Sequence, residues 1–379
     1  MAQKVVKKAT AEKSGSRTVW LFILIAVVPI ILIALYYISN SRKDIMDWVD
    51  SYIAAPYRDA AAHVTSFGPF KYFSLAEILI TLLALWALYY IIKTIILLII
   101  HPHRLYVLGR GLFTIIVVAL YLFTAYSWLW GTGYHSTDLA DKTGLNPSGI
   151  TAAQLTNVTK LFAKKANELS SQVKRDANGH FNEDKNYYFE LSKGVYSNIV
   201  KQFPELNGTS FTPKAMIYSR LMSAIGFTGV YIALTGEANI NVDAPPCLVP
   251  ATIAHEMAHQ RGINSEEEAN FSSIAACTTS NITVYAYSGY LMGLMYLTDA
   301  LNKADPAACS QITATLNQDV LTDWKDNSAY WAKYESPAAT TVTAMYDGYL
   351  KSNGQALGVS SYGACVDMLA AWLGNTPQT

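Results

Sequence analysis

Charge and cysteine are the two things that this sequence has little of. Charged residues make up 15% of the chain, against 51% hydrophobic residues, and the formal net charge is zero. Because Lys and Arg are not in excess, nothing favours a nucleic-acid partner, and we predict none. The apolar residues are concentrated before residue 132. This distribution predicts membrane segments followed by a globular domain of ordinary composition.

The four cysteines all lie in the last part of the chain, and no two of them form a C-x-x-C pair. The missing pair excludes a cysteine-based zinc ribbon. An even number of cysteines in one domain is compatible with two disulfides, which need an oxidising, extracytoplasmic setting. Four buried free thiols are the alternative. The disulfide hypothesis joins Cys247 to Cys277 and Cys309 to Cys365.

Three apolar stretches are long enough to cross a membrane as helices. They cover residues 18–40, 74–98 and 111–131. A span needs about 20 residues, because a helix rises ~1.5 Å per residue through a hydrocarbon core of ~30 Å. The sequence therefore predicts three transmembrane helices within residues 18–131, preceded by a basic tail at 1–17.

The basic residues predict how these helices are oriented. Lys and Arg are more frequent in the tail 1–17 and the short connector 101–110 than in the loop 40–72, where acids dilute them. The positive-inside rule places the tail and the connector in the cytoplasm. Three crossings then place residues 132–379 outside the cell. We expect a multi-pass cell-membrane protein whose spans contact the lipid bilayer and whose C-terminal domain is extracellular.

Helical periodicity dominates the predicted C-terminal domain. Residues 228–242 are the best strand candidate, because they are rich in β-branched and aromatic side chains and end at two prolines. Most of the chain after them has the pattern of helices. The expected fold is mainly α with a small sheet. An extended peptide could pair with this strand, and a strand buried within the sheet is equally compatible with the pattern.

The strongest motif is His255-Glu256-x-x-His259, within a predicted helix over 251–261. Positions i and i+4 share one face of a helix, so the two histidines can bind one Zn²⁺ ion together. Glu256 can reach a water at that ion and act as general base. Apolar flanking residues and the following Gly262 fit a buried helix that ends there.

A catalytic zinc usually takes a third protein ligand, and an acidic run begins seven residues after the second histidine. On a helix, Glu266 shares a small, polar face with Asn270, whereas Glu267 falls on an apolar face. Glu268 forms a capping box with Ser265. We predict Glu266 as the third ligand and Asn270 as its supporting partner. Glu267, Glu268 and a residue elsewhere remain alternatives.

The segments HEMAHQRGINSEEEAN and NGQALGVSSYGACVDML resemble an uncharacterised family of bacterial three-pass membrane proteins. That family carries a domain of unknown function that is grouped with zincin-like metallopeptidases. The E-x-x-A-N segment from Glu266 looks like the E-x-x-A-D segment of gluzincins such as the CAAX prenyl protease group, with Asn270 in place of the acid and a shorter gap. The resemblance implies a zincin-like α+β fold for residues 132–379, zinc ligands His255, His259 and Glu266, and Glu256 as the catalytic residue.

Two functions of different classes follow. The first is a membrane-anchored zinc metallopeptidase that hydrolyses peptide bonds of cell-surface or envelope proteins with a metal-activated water. The second is a catalytically inactive zincin-fold module that serves in surface binding or sensing. Glu256 favours the enzyme, because a binding module needs no general base. The sequence does not indicate an oligomeric state.

Overall fold

The structure, a computed structural model, describes residues 24–374, and the predicted tail 1–17 lies outside them. The described chain is mainly helical with one small sheet. Five α-helices of the described chain precede residue 130: α1 (Leu24–Ser39), α2 (Lys43–Val49), α3 (Ala55–Thr65), α4 (Leu75–Ile100) and α5 (Arg104–Leu129). Eleven α-helices follow: α6 (Leu139–Thr143), α7 (Ala152–Ser170), α8 (Lys185–Leu191), α9 (Ser219–Ala224), α10 (Val249–Gln260), α11 (Glu266–Thr279), α12 (Thr283–Ala304), α13 (Pro306–Thr313), α14 (Gln318–Ala332), α15 (Pro337–Ser352) and α16 (Ser361–Leu373).

Two helices in the described part of the chain, not the predicted three, are long and apolar enough to cross a membrane. They are α4 and α5, each of 26 residues, and none of the apolar window of α4 is buried. Within the described residues, the first predicted span is α1, an apolar helix that is shorter than α4 and α5. Residues 18–23 of that predicted span lie outside the described residues.

The segment between α1 and α4 packs on the globular part. A π-helix, Asp50–Ala54, joins α2 to α3. Buried Arg58 of α3 pairs with Asp50 at 2.7 Å. The hydroxyl of Tyr57 donates to the carbonyl of Leu234 at 2.7 Å. The globular part is therefore built from chain on both sides of the α4–α5 hairpin.

The sheet has three strands in the order β1-β3-β2. Strand β1 (Lys214–Ala215) is parallel to β3 (Glu237–Ile240), and β2 (Gly229–Ile232) is antiparallel to it. The single strand predicted over 228–242 is thus a hairpin. The chain reverses at Gly236, whose φ of 68° favours glycine. A Cβ there would also lie 2.6 Å from the backbone nitrogen of Ala62, so α3 packs directly on this turn.

Two buried carboxylates join the sheet region to the start of α4. Glu237 of β3 accepts hydrogen bonds from the backbone N–H groups of Leu75 (3.0 Å) and Ala76 (2.7 Å). In return, Glu77 of α4 accepts from the N–H groups of Ile217 (3.0 Å) and Tyr218 (2.8 Å). The first turn of a helix leaves its N–H groups without intrahelical partners, so a carboxylate there is favourable. This exchange fixes α4 against the strands.

All four cysteines are free and buried, so the predicted disulfides are not formed. Each thiol lies in different surroundings within one hydrophobic core. Cys309 donates to the carbonyl of Thr298, and Cys277 packs against Gly289. Cys247 lies near the carbonyl of Asp323. A disulfide needs the two Cα atoms within about 7 Å with converging Cβ vectors. The cysteine positions therefore no longer support an extracytoplasmic location.

We expect denatured, unreduced protein to react with a thiol reagent at four sites per chain, because four separately buried thiols are present. The measurement is a colorimetric thiol count in denaturant, with a fully reduced sample as the control. A count of two or zero before reduction would contradict this structure.

Candidate metal centre

The HExxH motif lies on α10, close to the predicted bounds of 251–261. Pro250 occupies the first turn, where its missing N–H costs no intrahelical hydrogen bond. Gly262, with a φ of 89°, ends the helix. His255, Glu256 and His259 are each less than 10% exposed. Burial of three ionisable groups on one helix requires specific partners for each of them.

The structure brings His255, His259 and Glu266 together. Each offers one ligand atom, and these atoms all lie within 4.8 Å of one another. Glu266 Oε2 is 3.1 Å from His255 Nε2 and 3.7 Å from His259 Nε2. Ligands at 2.0–2.1 Å from a tetrahedral zinc are separated by ~3.4 Å, so this spacing fits one such ion.

The two imidazoles are oriented so that their Nε2 atoms face Glu266. The Nδ1 of His259 donates to the carbonyl oxygen of Ile263 at 2.6 Å. The Nδ1 of His255 lies 2.8 Å from Oδ1 of Asn270, the residue that we predicted as a supporting partner of Glu266. The Nδ2 of Asn270 points to the hydroxyl of Tyr296 at 3.4 Å, which fixes the amide orientation. Such hydrogen bonds leave Nε2 available to bind a metal and raise its basicity.

The carboxylate of Glu266 uses one oxygen for a hydrogen bond and presents the other to the histidines. Tyr346 of α15 donates to Oε1 at 2.6 Å. Oε2 is buried and has no hydrogen bond among the described residues. Burial alone would raise the pKa of this carboxyl, but the two histidines, His259 above all, hold it well below its ordinary value. A buried carboxylate oxygen beside two imidazole nitrogens fits a divalent cation.

Glu256 lies beside these three residues without joining them. Its Oε2 is also buried without a hydrogen bond from the described residues. Burial raises the pKa of the Glu256 carboxyl to about 7, an effect that the neighbouring histidines oppose. A carboxyl whose pKa lies near neutrality is suited to general acid–base work. A Cβ added at Gly229 of β2 would lie 2.4 Å from Glu256 Oε1, so only glycine allows this approach.

A cavity of about 420 Å³ opens next to His255 and Glu256. Its walls are largely apolar and come from residues 225–229, from α10, and from Met292, Met295, Trp331 and Tyr346. A cavity of this size with a few polar groups at one end is typical of a site for a small ligand or one or two side chains.

The other two acids of the run point elsewhere. Glu268 accepts hydrogen bonds from the N–H groups of Leu139 and Ala140 at the start of α6. The predicted capping box is therefore absent, and Ser265 makes no side-chain cap. Burial raises the pKa of Glu268 to about 7 and also raises that of Glu267. Helix α11 nevertheless begins at the predicted place.

Three residues at the site were not found by sequence reasoning. Tyr346 donates a hydrogen bond to Glu266, and Gly229 lies against Glu256. Trp130, directly after α5, packs edge-on against His259 with ring centroids 5.6 Å apart. No local pattern marks these contacts, because each partner lies far along the chain. The aromatic residues at the end of α5 are the usual signal of a membrane interface instead.

The model of one protein family, described as protein of unknown function (DUF3810), matches residues 57–370. The chain belongs to the DUF3810 family. The match includes α4, α5 and every residue of the candidate metal centre. Comparisons with curated proteins and with solved structures gave no match. The family description assigns no activity.

We expect Tyr346→Phe to weaken zinc binding by roughly 10- to 100-fold, because loss of a hydrogen bond to a ligand carboxylate lowers metal affinity by that order. Competition with a chromophoric chelator measures the affinity. Tyr330→Phe is the matched control, since that hydroxyl bonds to Asp243 instead. Equal affinities for the wild type and Tyr346→Phe would show that this hydrogen bond does not support a metal ligand.

Proposed function

We propose that this protein is a membrane-anchored, zinc-dependent metallopeptidase. The observation that carries the proposal is the buried set of His255, His259 and Glu266, with the unsatisfied Oε2 of Glu266 directed at both Nε2 atoms. Two imidazoles and one carboxylate are the donor set of one major class of catalytic zinc sites. Glu256 adds a carboxyl beside these three ligands, which the proposed reaction needs as its general base.

The residues divide the work as follows. When bound, zinc supplies a Lewis acid that polarises a carbonyl and lowers the pKa of a water. His255, His259 and Glu266 would hold the ion, and Asn270 and the carbonyl of Ile263 fix the two rings. Glu256 is placed to take a proton from the attacking water and to deliver it to the leaving amine. The apolar cavity excludes bulk water from one side of this step.

The membrane part of the proposal rests on α4 and α5. Both have the length and composition of spans, and α1 would be a third with the residues that precede it. The ends of α1, α4 and α5 that contact the globular part, through Tyr36, Ala76 and Trp130, all lie on one side of the hairpin. The excess of basic residues at the opposite ends supports a cytoplasmic N-terminus and a site on the outer face. Substrates would then be proteins of the cell surface or envelope.

Metal content and hydrolysis of the full-length protein test this function. We expect about one zinc per chain in the wild type and in Glu256→Gln, and a strong loss in Glu266→Ala. A pooled library of internally quenched peptides measures hydrolysis. Glu256→Gln should lower the rate by ~10²- to 10⁴-fold while it keeps the metal.

Two outcomes would contradict the peptidase. A wild type that binds no zinc after zinc is supplied would make the motif a remnant. If the wild type and Glu256→Gln bind zinc equally and neither hydrolyses a peptide, the inactive surface binding or sensor module would be favoured.

The close approach of β2 to the general base gives a second test. We expect Gly229→Ala to keep the zinc but to slow hydrolysis by about 100-fold, because a displacement of ~1 Å at a reacting group has that effect. Gly348→Ala is the control, since a Cβ there meets nothing within 4 Å. An unchanged rate in Gly229→Ala would show that Glu256 does not need its present position.

A further inference from the structure

The segment that follows β1 carries three large apolar side chains that the described chain leaves largely exposed. Ile217 is 82% exposed, Leu221 is 60% exposed, and Tyr218 is 43% exposed. These three residues are named the apolar edge below. An exposed apolar cluster on a folded domain marks a surface that contacts a partner or a membrane.

Hydrogen bonds place the apolar edge at a defined height along α4. The backbone N–H groups of Ile217 and Tyr218 bind the carboxylate of Glu77, and the hydroxyl of Tyr218 lies 3.0 Å from the hydroxyl of Thr81. These two positions on α4 differ by about 6 Å in height, at ~1.5 Å per residue. The apolar edge therefore lies beside the first two turns of the helix.

Those same turns are where α4 becomes fully apolar and outward-facing. Ile78, Leu79 and Ile80 are all more than 40% exposed, and the apolar window of the helix has no buried residue within the described chain. If α4 spans the bilayer, the hydrocarbon boundary lies near these residues. Amphipathic surface elements bury their apolar side chains ~5–10 Å into this boundary. The apolar edge lies at the level of α4 where this boundary would be.

The side of the cavity that α15 forms lies at the same height along α4 as the apolar edge. Gly111 of α5 is in close contact with Thr94 of α4, and this contact fixes how the two antiparallel helices are aligned. In this alignment Tyr126 of α5 lies at the same height as the first turns of α4. The hydroxyl of Tyr126 donates to that of Tyr349 in α15 at 3.1 Å. Met345, also in α15, is 71% exposed. Both flanks of the site are thus tied to the spans at one height.

The walls of the cavity adjoin these two flanks in the sequence. Residues 225–229, which form one wall and contact Glu256, begin one turn after Leu221. Tyr346, which holds Glu266, follows Met345. We propose that the apolar edge rests in the membrane interface, so that the cavity beside His255 and Glu256 receives polypeptide segments lying close to the bilayer. The substrate class is therefore the juxtamembrane region of membrane-anchored proteins. This inference rests on the proposed function.

Spin-label depth measurement tests the membrane contact. A nitroxide is attached to Leu221→Cys in full-length protein in lipid nanodiscs, and the unsubstituted protein, with its four buried thiols, is the labelling blank. We expect the label to be more accessible to oxygen than to an aqueous nickel complex. Leu321→Cys, an exposed leucine of α14, is the matched control and should show the reverse. Equal behaviour at the two sites would overturn the membrane contact.

Mapping of cleavage sites tests the substrate class. New protein N-termini are compared in membranes from cells that express the wild type or Glu256→Gln. We expect sites that depend on Glu256 to lie within about 10 Å of the bilayer, the depth of the interface zone, and so a few residues from a predicted span. Sites spread evenly over long extramembrane domains would overturn the inference and leave the peptidase intact. An absence of any site that depends on Glu256 would instead contradict the proposed function.

Discussion

Burial of charge beside α10 is the constraint on which the rest of the structure depends. Four ionisable side chains, His255, Glu256, His259 and Glu266, lie inside a hydrophobic core, where an unpaired charge is costly. The imidazoles hold Glu266 ionised, and their outer nitrogens are met by an amide and a carbonyl. This balance requires α10 and α11 to pack closely, and the helices around them complete the enclosure. A cation between the ligand atoms would satisfy the one oxygen of Glu266 that the described chain leaves unmet.

The parts of the site that depend on spacing along one helix could be predicted from the sequence. The spacing of His255 and His259 places them on one helical face, and the phase of the acidic run separates Glu266 from its two neighbours. Asn270 followed from the same phase, since it lies one turn further along α11. These inferences needed only the geometry of a single helix. The structure brings ligand atoms of His255, His259 and Glu266 within 4.8 Å of one another, and it places Asn270 against His255.

The parts that depend on distant chain could not be predicted in this way. Gly229, Tyr346 and Trp130 reach the site through tertiary packing, and no periodicity connects them with the motif. The strand candidate was found, but the turn at Gly236 was not, because a glycine inside a β-rich stretch is ambiguous. The cysteine count suggested disulfides because number alone does not reveal separation in space.

The reciprocal hydrogen bonds that Glu77 and Glu237 make between α4 and the sheet region also bear on how the protein is made. Glu237 follows Leu75 by 162 residues, so at ~5–20 residues per second its carboxylate emerges roughly 8 to 30 s after the helix that it caps. Throughout that interval the N–H groups of Leu75 and Ala76 lack the carboxylate that caps them in the folded protein. Under the proposed membrane topology, the hairpin of α4 and α5 is inserted before the strands are made, and the strands then assemble against it. Biogenesis would proceed from the lipid towards the centre that holds the histidines.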